Sequence, residues 1–314
     1  MTVAPIQLAP EEVEGRRRSF WRDAIGRYVA NRAALAATLV LALLVGACLL
    51  VPVLSPYDPY DVDFEVASQG VSAEHPLGTD QFGRDLLTRT ALGGRASMTI
   101  AAAATAVVLL LGLAYGAVAG FAGGRVDEAM MRLLDGLFAV PRLPAMIVIL
   151  VLVGLGGGTL TLVFALSILS WMTTARLVRG QIASLKEHDF IRAAEAVGAR
   201  SGEVIVRHMV PNTLGVLLVA VLLEMPAIIL GEAFLSLLGL GLNAPKATWG
   251  NIAQDGFFSA RPFVMVVPSA AIALFAVCVN FVADGAQDAL DPRRGGARGR
   301  RRDRGLDRVA RVAA

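Results

Sequence analysis

AALAATLVLALLVGACLLVPVL, residues 33–54, places 22 residues in a row without one charged side chain. A helix rises about 1.5 Å per residue, so such a stretch crosses a hydrocarbon core about 30 Å thick. Lipid offers no partner for backbone N–H and C=O groups, which leaves the helix as the conformation that satisfies them. The stretch is therefore read as a membrane-spanning helix. It is too long for the apolar region of a secretory signal, and no small-residue cleavage site follows it, so it is expected to be retained.

The same ruler applied outward finds five more spans, over residues 98–121, 133–155, 160–178, 214–238 and 263–283. The third carries Asp135, Pro141, Arg142 and Pro144 in its first half, and the fifth carries Glu224 and Glu232 as its only charges. Composition agrees with an all-α polytopic membrane protein: 55% of the 314 residues are hydrophobic and the mean hydropathy is +0.61. Cys48 and Cys278 each lie inside an apolar run, far apart, and are read as small buried hydrophobes rather than a disulfide or metal pair. His75, His188 and His208 fall in three separate non-membrane segments with no nucleophile or carboxylate at a motif spacing, so no catalytic or metal site is expected in the chain.

Orientation follows from the distribution of Lys and Arg rather than from the net charge of +3. Residues 1–32, 122–141, 176–207 and the tail after Asp291 hold 23 of them, against five in 55–95 and 240–262. Both termini are therefore expected in the cytoplasm, which requires an even number of spans. The chain divides into an N-terminal segment 1–32, a first helix with its external segment 33–95, a core 96–290 and a basic tail 291–314. That tail is read as an anchor facing anionic lipid head groups, not as a nucleic-acid site.

A connector between the fourth and fifth spans has no need of the length of residues 186–212. Phe190, Ala194 and Val197 recur at i, i+4 and i+7, predicting a helix over 187–197 with a narrow apolar stripe. Gly198 is expected to end it, Ser201 to cap a second helix with Glu203 in its first turn, and Pro211 to mark the return to the membrane. The stripe suits docking to another protein; a helix lying on the lipid surface is the alternative.

Arg192-Ala193-Ala194, Gly198, Ile205 and Pro211-Asn212 resemble the EAA signature of ABC-importer permeases, with Arg192 where the pattern has a leading glutamate. Three further stretches resemble C-type subunits of the dipeptide, oligopeptide and nickel permeases. They are His75-Pro76-Leu77-Gly78-Thr79-Asp80 with Gly83-Arg84-Asp85, then Glu232-Ala233-Phe234-Leu235-Ser236 running on to Trp249-Gly250-Asn251, then Asn280 to Arg293 with Gln287 where arginine is usual. The resemblance implies a type I ABC-importer permease fold in the inner membrane and import of short peptides, or by the same machinery of nickel complexes, glutathione or another small solute. It implies a B-type permease partner, two ATP-binding subunits that hold ATP and Mg, and an external solute-binding protein. It also implies that Asp189, Phe190, Ile191, Arg192, Ala193, Ala194, Glu195, Val197 and Gly198 form the helix that couples to the ATPases.

Residue by residue, simpler roles stand beside these. Gly78-Thr79-Asp80 reads as a turn feeding a helix capped by Thr79 or Asp80, and Trp249 as an interfacial anchor. Gly112, Gly116 and Gly120 stand four apart and predict close helix packing. Gly154, Gly156, Gly157 and Gly158 lack the lysine-serine or lysine-threonine pair of a phosphate loop. Intramembrane charges are costly and commonly face a cavity, which makes Arg142, Glu224 and Glu232 candidates for the pathway. For Arg142 the expected role is passage of a peptide carboxylate, against a pair with Asp135 or a snorkelling side chain. A channel or ion-driven secondary transporter would share the span count and these charges.

The orientation is testable by cysteine labelling. Cysteines at Ser68 and Ala260 should react with an impermeant reagent in intact cells, and those at Ser201 and Ala314 only after permeabilisation; labelling at Ser201 in intact cells would refute it.

Overall fold

The computed structural model describes residues 22–153, 158–242 and 245–290. Expectations for residues 1–21, for the glycines 154, 156 and 157 and for the tail from 291 onward lie outside them. Every regular element described is helical. A helix over 22–30 (α1) precedes α2 (Arg32–Leu54), α3 (Leu86–Ala122), α4 (Gly124–Phe138), α5 (Arg142–Val153) and α6 (Gly158–Ser167). There follow α7 (Trp171–Lys186), α8 (Asp189–Ala196), α9 (Ser201–Val204), α10 (Val210–Leu237), α11 (Trp249–Phe258) and α12 (Pro262–Leu290).

Four helical stretches are long and apolar enough to cross a membrane unbroken: α2, α3, the continuous run from Ser201 to Leu237, and α12. Two pairs, α4 with α5 and α6 with α7, pass the same test only as broken units, bent by 87° and 49°. Counting each pair as one span gives six. The third span is thus not a straight helix over 133–155. Its polar first half forms α4, and the chain turns at residues 139–141 before Arg142 opens α5, because Pro141 has no N–H to continue a helix and biases the residue before it away from helical geometry. The fourth span likewise runs from Gly158 to Lys186 with a break before Trp171.

The helix that carries the second span begins well before residue 98. Asp85, not Thr79 or Asp80, caps α3, accepting from the Thr88 N–H at 2.8 Å. The expected boundary at 95/96 therefore falls inside a continuous helix, and the segment between α2 and α3 ends at Asp85. That segment folds as a knot. Asp80, 2% exposed, takes Arg84 Nε at 2.7 Å and Arg89 Nε at 3.4 Å. His75 Nδ1 lies 2.9 Å from Asp85 Oδ1, and both arginines reach Asp255 of α11 at 3.4 Å. Burial pushes the Asp255 carboxyl above its usual range, and Arg89 and Arg84 pull it back. Gly83, at φ +76°, passes so close to the Asp63 backbone that a Cβ would lie 1.7 Å from the Asp63 carbonyl oxygen.

Trp249 is a core residue rather than a surface anchor. It is fully buried, its Nε1–H donates to Thr90 O at 2.9 Å, and its ring packs edge-on against Phe275 of α12. Gly94 makes room for it, since a Cβ there would meet the indole at 2.6 Å.

The predicted glycine face packs α3 against α7. A Cβ at Gly112 would lie 2.6 Å from Thr174 Cβ, one at Gly116 2.3 Å from Ala175 O, and one at Gly120 2.7 Å from Arg179 O. At the end of this contact the Lys186 ammonium donates to Phe121 O at 2.7 Å. Arg179 of α7 pairs with Asp127 of α4 through both carboxylate oxygens.

Because the atoms opposing Gly116 are backbone atoms of Ala175 and Arg179 and the Cβ of Val178, they cannot move aside as the end of a flexible side chain would. Gly116→Val should destabilise the folded chain by about 1–3 kcal/mol and lower its thermal midpoint in detergent, whereas Gly46→Ala, with open space at its Cβ, should not. Equal midpoints for the two variants would remove the close-packing role.

Candidate coupling helix and intramembrane charges

α8 lies beyond the end of α7 that carries Lys186, and so at the opposite end of α3 from Asp85. Its eight residues, Asp189–Ala196, are one turn shorter than the predicted 187–197. The Ile191 side chain is fully buried and packs in a cluster with Val178 and Ile182 of α7, Val204, Met209 and Leu217. Ala194 is partly buried against the same cluster. Phe190 and Val197, by contrast, are 45% and 91% exposed. The stripe expected from the sequence therefore divides: Ala194 sits at the edge of the seam that fastens α8 to its own chain, and Phe190 and Val197 point away from it. Asp189, Arg192 and Ala193 are exposed too, with Arg192 holding Glu187 at 2.8 Å. Glu195 lies within the helical run.

Gly198 ends α8 with φ +92°, and the Ala199 N–H donates to Ala194 O at 3.1 Å across it, the bond that closes a left-handed helix cap. Space does not demand glycine here, since a Cβ would meet nothing within 4 Å; the backbone conformation does. Arg200 rather than Ser201 occupies the cap position of α9, without a side-chain bond, and Glu203 sits in the first turn as expected. α9 is not a separate cytoplasmic helix. A π-helical turn, Ile205–Met209, joins it to α10 with Pro211 in the first turn, so the helix that carries the fifth span begins at Ser201.

The three intramembrane charges do not gather in one place. Arg142, half-buried at the start of α5, donates to Ser170 Oγ, and Glu224 of α10 lies within its Coulombic reach. Ser170 stands at the break between α6 and α7 and donates in turn to Leu166 O at 2.6 Å. One side chain thus ties together the two bends of the fold. The alternative pairing of Arg142 with Asp135 is not formed, because Asp135 is held by Arg176 of α7. Glu232 is elsewhere and fully buried: Ser236 Oγ donates to it at 2.8 Å and Ser97 Oγ at 3.1 Å, while Ser97 accepts the Trp249 N–H. A carboxyl so enclosed joins α3, α10 and α11 from within and, unlike Arg142, is fully buried in the chain's own core. Sequence reasoning missed Ser170 and named Ile191 only as part of the coupling helix, not as its buried root; both roles depend on segments distant in the chain.

With this arrangement in view, comparison with known proteins is informative. Residues 112–296 match the family described as binding-protein-dependent transport system inner membrane component, and residues 19–72 match the N-terminal transmembrane domain of oligopeptide transport permease C. The chain is 39% identical over 285 residues to the oligopeptide transport system permease protein OppC of Bacillus subtilis, covering 90% of this chain and 93% of that one. It is 42% identical over 287 residues to the Escherichia coli protein of the same name, covering 90% and 93%. It is 38% identical over 278 residues to the dipeptide transport system permease protein DppC of Bacillus subtilis, covering 88% and 86%.

The cap predicts a graded response at Gly198. A β-branched residue there pays the steric cost of positive φ, about 1–2 kcal/mol, whereas asparagine tolerates that conformation. Gly198→Val should raise the rate of proteolysis within residues 186–212 by about tenfold and Gly198→Asn should leave it near that of the unmutated chain; equal rates for both variants would show that the cap does not hold α8.

Proposed function

The chain belongs to the family of binding-protein-dependent transport system inner membrane components, and from that membership we propose that it imports short peptides as one half of a passage driven by separate ATP-hydrolysing subunits. It is a multi-pass inner-membrane permease component and not an enzyme. The proposal adds the cargo, the partners and the orientation. The cargo is supported by similarity along nearly the whole chain to oligopeptide and dipeptide permeases. The orientation, with both termini and α8 on the cytoplasmic side, is supported by the asymmetry of Lys and Arg. The partners are a B-type permease subunit completing the passage, two ATP-binding subunits carrying ATP and Mg, and an external solute-binding protein.

The observation that carries the coupling assignment is the double face of α8. Ile191 roots the helix in the chain's own core while Phe190 and Val197 stand exposed on the other side. A helix held on one side and apolar on the other transmits force when a partner seats on it. Asp189, Arg192, Ala193, Glu195 and Gly198 complete the proposed contact, and Ala194 lies at its edge. Arg142 and Glu224 are the charges we assign to the passage, because Arg142 stands at the bends of two broken spans with Glu224 within its Coulombic reach.

Since Ala194 also touches the chain's own core, a tryptophan there would disturb fold and contact together. Phe190→Ala combined with Val197→Asp separates the two. In reconstituted complexes this variant should accumulate normally yet lose at least about tenfold in ATP-dependent peptide uptake, with the ATPase subunits detached or hydrolysing ATP without transport. Arg142→Gln should keep both ATPases and slow uptake. Retained ATPases with unchanged uptake in the α8 variant would sink the coupling assignment, and unchanged uptake by Arg142→Gln would remove that residue from the passage.

A further inference from the structure

On the face opposite α8, a cleft of about 410 Å³ opens between α3, the stretch preceding α11 and the first turn of α6. Its polar wall is made by Arg95, Lys246, Tyr60, Thr99 and Thr159, and Leu242 contributes to its apolar wall. We infer that this cleft receives the carboxylate of the solute before it enters the passage, Arg95 and Lys246 supplying the charge; the inference rests on the importer reading above.

The distribution of cations on this face carries the argument. The segments 55–95 and 240–262 together hold only five Lys and Arg residues. Arg84 and Arg89 are committed to Asp80 and Asp255 in the knot before α3. Of the remaining three, Arg95 and Lys246 come from positions some 150 residues apart and converge on one cleft. Both are exposed, and among the described residues no carboxylate pairs with either. Two like charges facing one concavity repel each other, and an anion between them removes the repulsion and gains attraction from both.

The remaining wall selects the kind of anion. Tyr60 and Thr159 bring hydroxyl groups that donate to a carboxylate oxygen, while Leu242 and Leu92 offer an apolar surface. The combination of fixed cations, hydroxyl donors and an apolar wall suits an end group bearing both a charge and a side chain, as the C-terminus of a short peptide does. A volume of about 410 Å³ is within the range of small-molecule sites, about 300–1,000 Å³.

Thr99 is exposed on the cleft wall, and the buried Cys48 and Cys278 leave a quiet background for thiol chemistry. In the full complex carrying Thr99→Cys, a negatively charged sulfonate methanethiosulfonate should react about tenfold faster than its trimethylammonium counterpart. Adding Arg95→Gln and Lys246→Gln should bring the two rates within about twofold. Trialanine should protect the thiol and trialanine amide should not. Equal reagent rates before the charges are removed, or equal protection by both peptides, overturn the inference; so does protection that follows the phosphatidylglycerol content of the vesicles instead of added peptide, which would make the cleft a lipid site. ATP-driven uptake of trialanine is measured on the same vesicles without the thiol reagent, so failure of the importer reading registers there and is distinct from failure of the cleft.

Discussion

Where Gly112, Gly116 and Gly120 face α7, two helices lie closer than any side chain larger than hydrogen permits. In a membrane, apolar side chains gain little by leaving lipid for protein, so helix association depends on close van der Waals contact and on hydrogen bonds between helices. This contact provides the first over three turns. It fixes α7, and α7 in turn fixes everything attached to it: α4 through Arg179 and Asp127, α8 through Ile182 and Ile191, and the α3 terminus through Lys186. The position of the exposed face of α8 is therefore set by three hydrogen atoms where other residues would have a Cβ.

Polar groups inside the fold divide into two kinds that composition alone does not separate. Glu232 is enclosed by serines from its own and another helix and joins three elements. Arg142 has one hydroxyl partner, remains half-buried, and has an acidic neighbour at a distance. The first arrangement is satisfied and costs a great deal to open, because an enclosed group loses its partners all at once. The second has spare hydrogen-bonding capacity and a place at two helix breaks, which is what a group needs if it is to exchange partners.

What the sequence discloses follows from the range of the interaction involved. Long apolar runs report α2, the start of α12 and, except where it joins α9, α10 to within a few residues, since hydropathy is a property of the run itself; the more polar last two turns of α12, to Leu290, escape it. Gly198 and the glycine face of α3 are legible for the same reason: each is a local conformational or steric requirement. The bends at residues 139–141 and before Trp171 are not, because a hydropathy window passes over them. Leu86 opens α3 well before residue 98 under the Asp85 cap, and Arg89 is accommodated inside the helix by Asp80 and by Asp255, the latter far outside any window around Arg89. The two faces of α8 are only partly legible for a related reason: Phe190 and Val197 stay exposed as the stripe predicts, while Ile191 turns into the chain's own core. Over eight residues Phe190 and Ile191 offer neighbouring apolar directions, and the choice between them is made by α7 and Val204.

α2, α10 and α12 each carry a proline in their interior, Pro52, Pro226 and Pro268 respectively, and α3 carries none over its 37 residues. A proline deletes a backbone bond and leaves a point of low bending resistance. At about 1.5 Å per residue α3 is about 55 Å long, well beyond the hydrocarbon thickness, and it runs from the knot around Asp80 to the root of α8. It is the stiff strut among hinged neighbours. A push delivered at α8 would not be absorbed along α3 but would arrive at its far end as a tilt or a shift of the whole rod, with Arg95 and the cleft carried along, while the three proline-bearing helices flex around it.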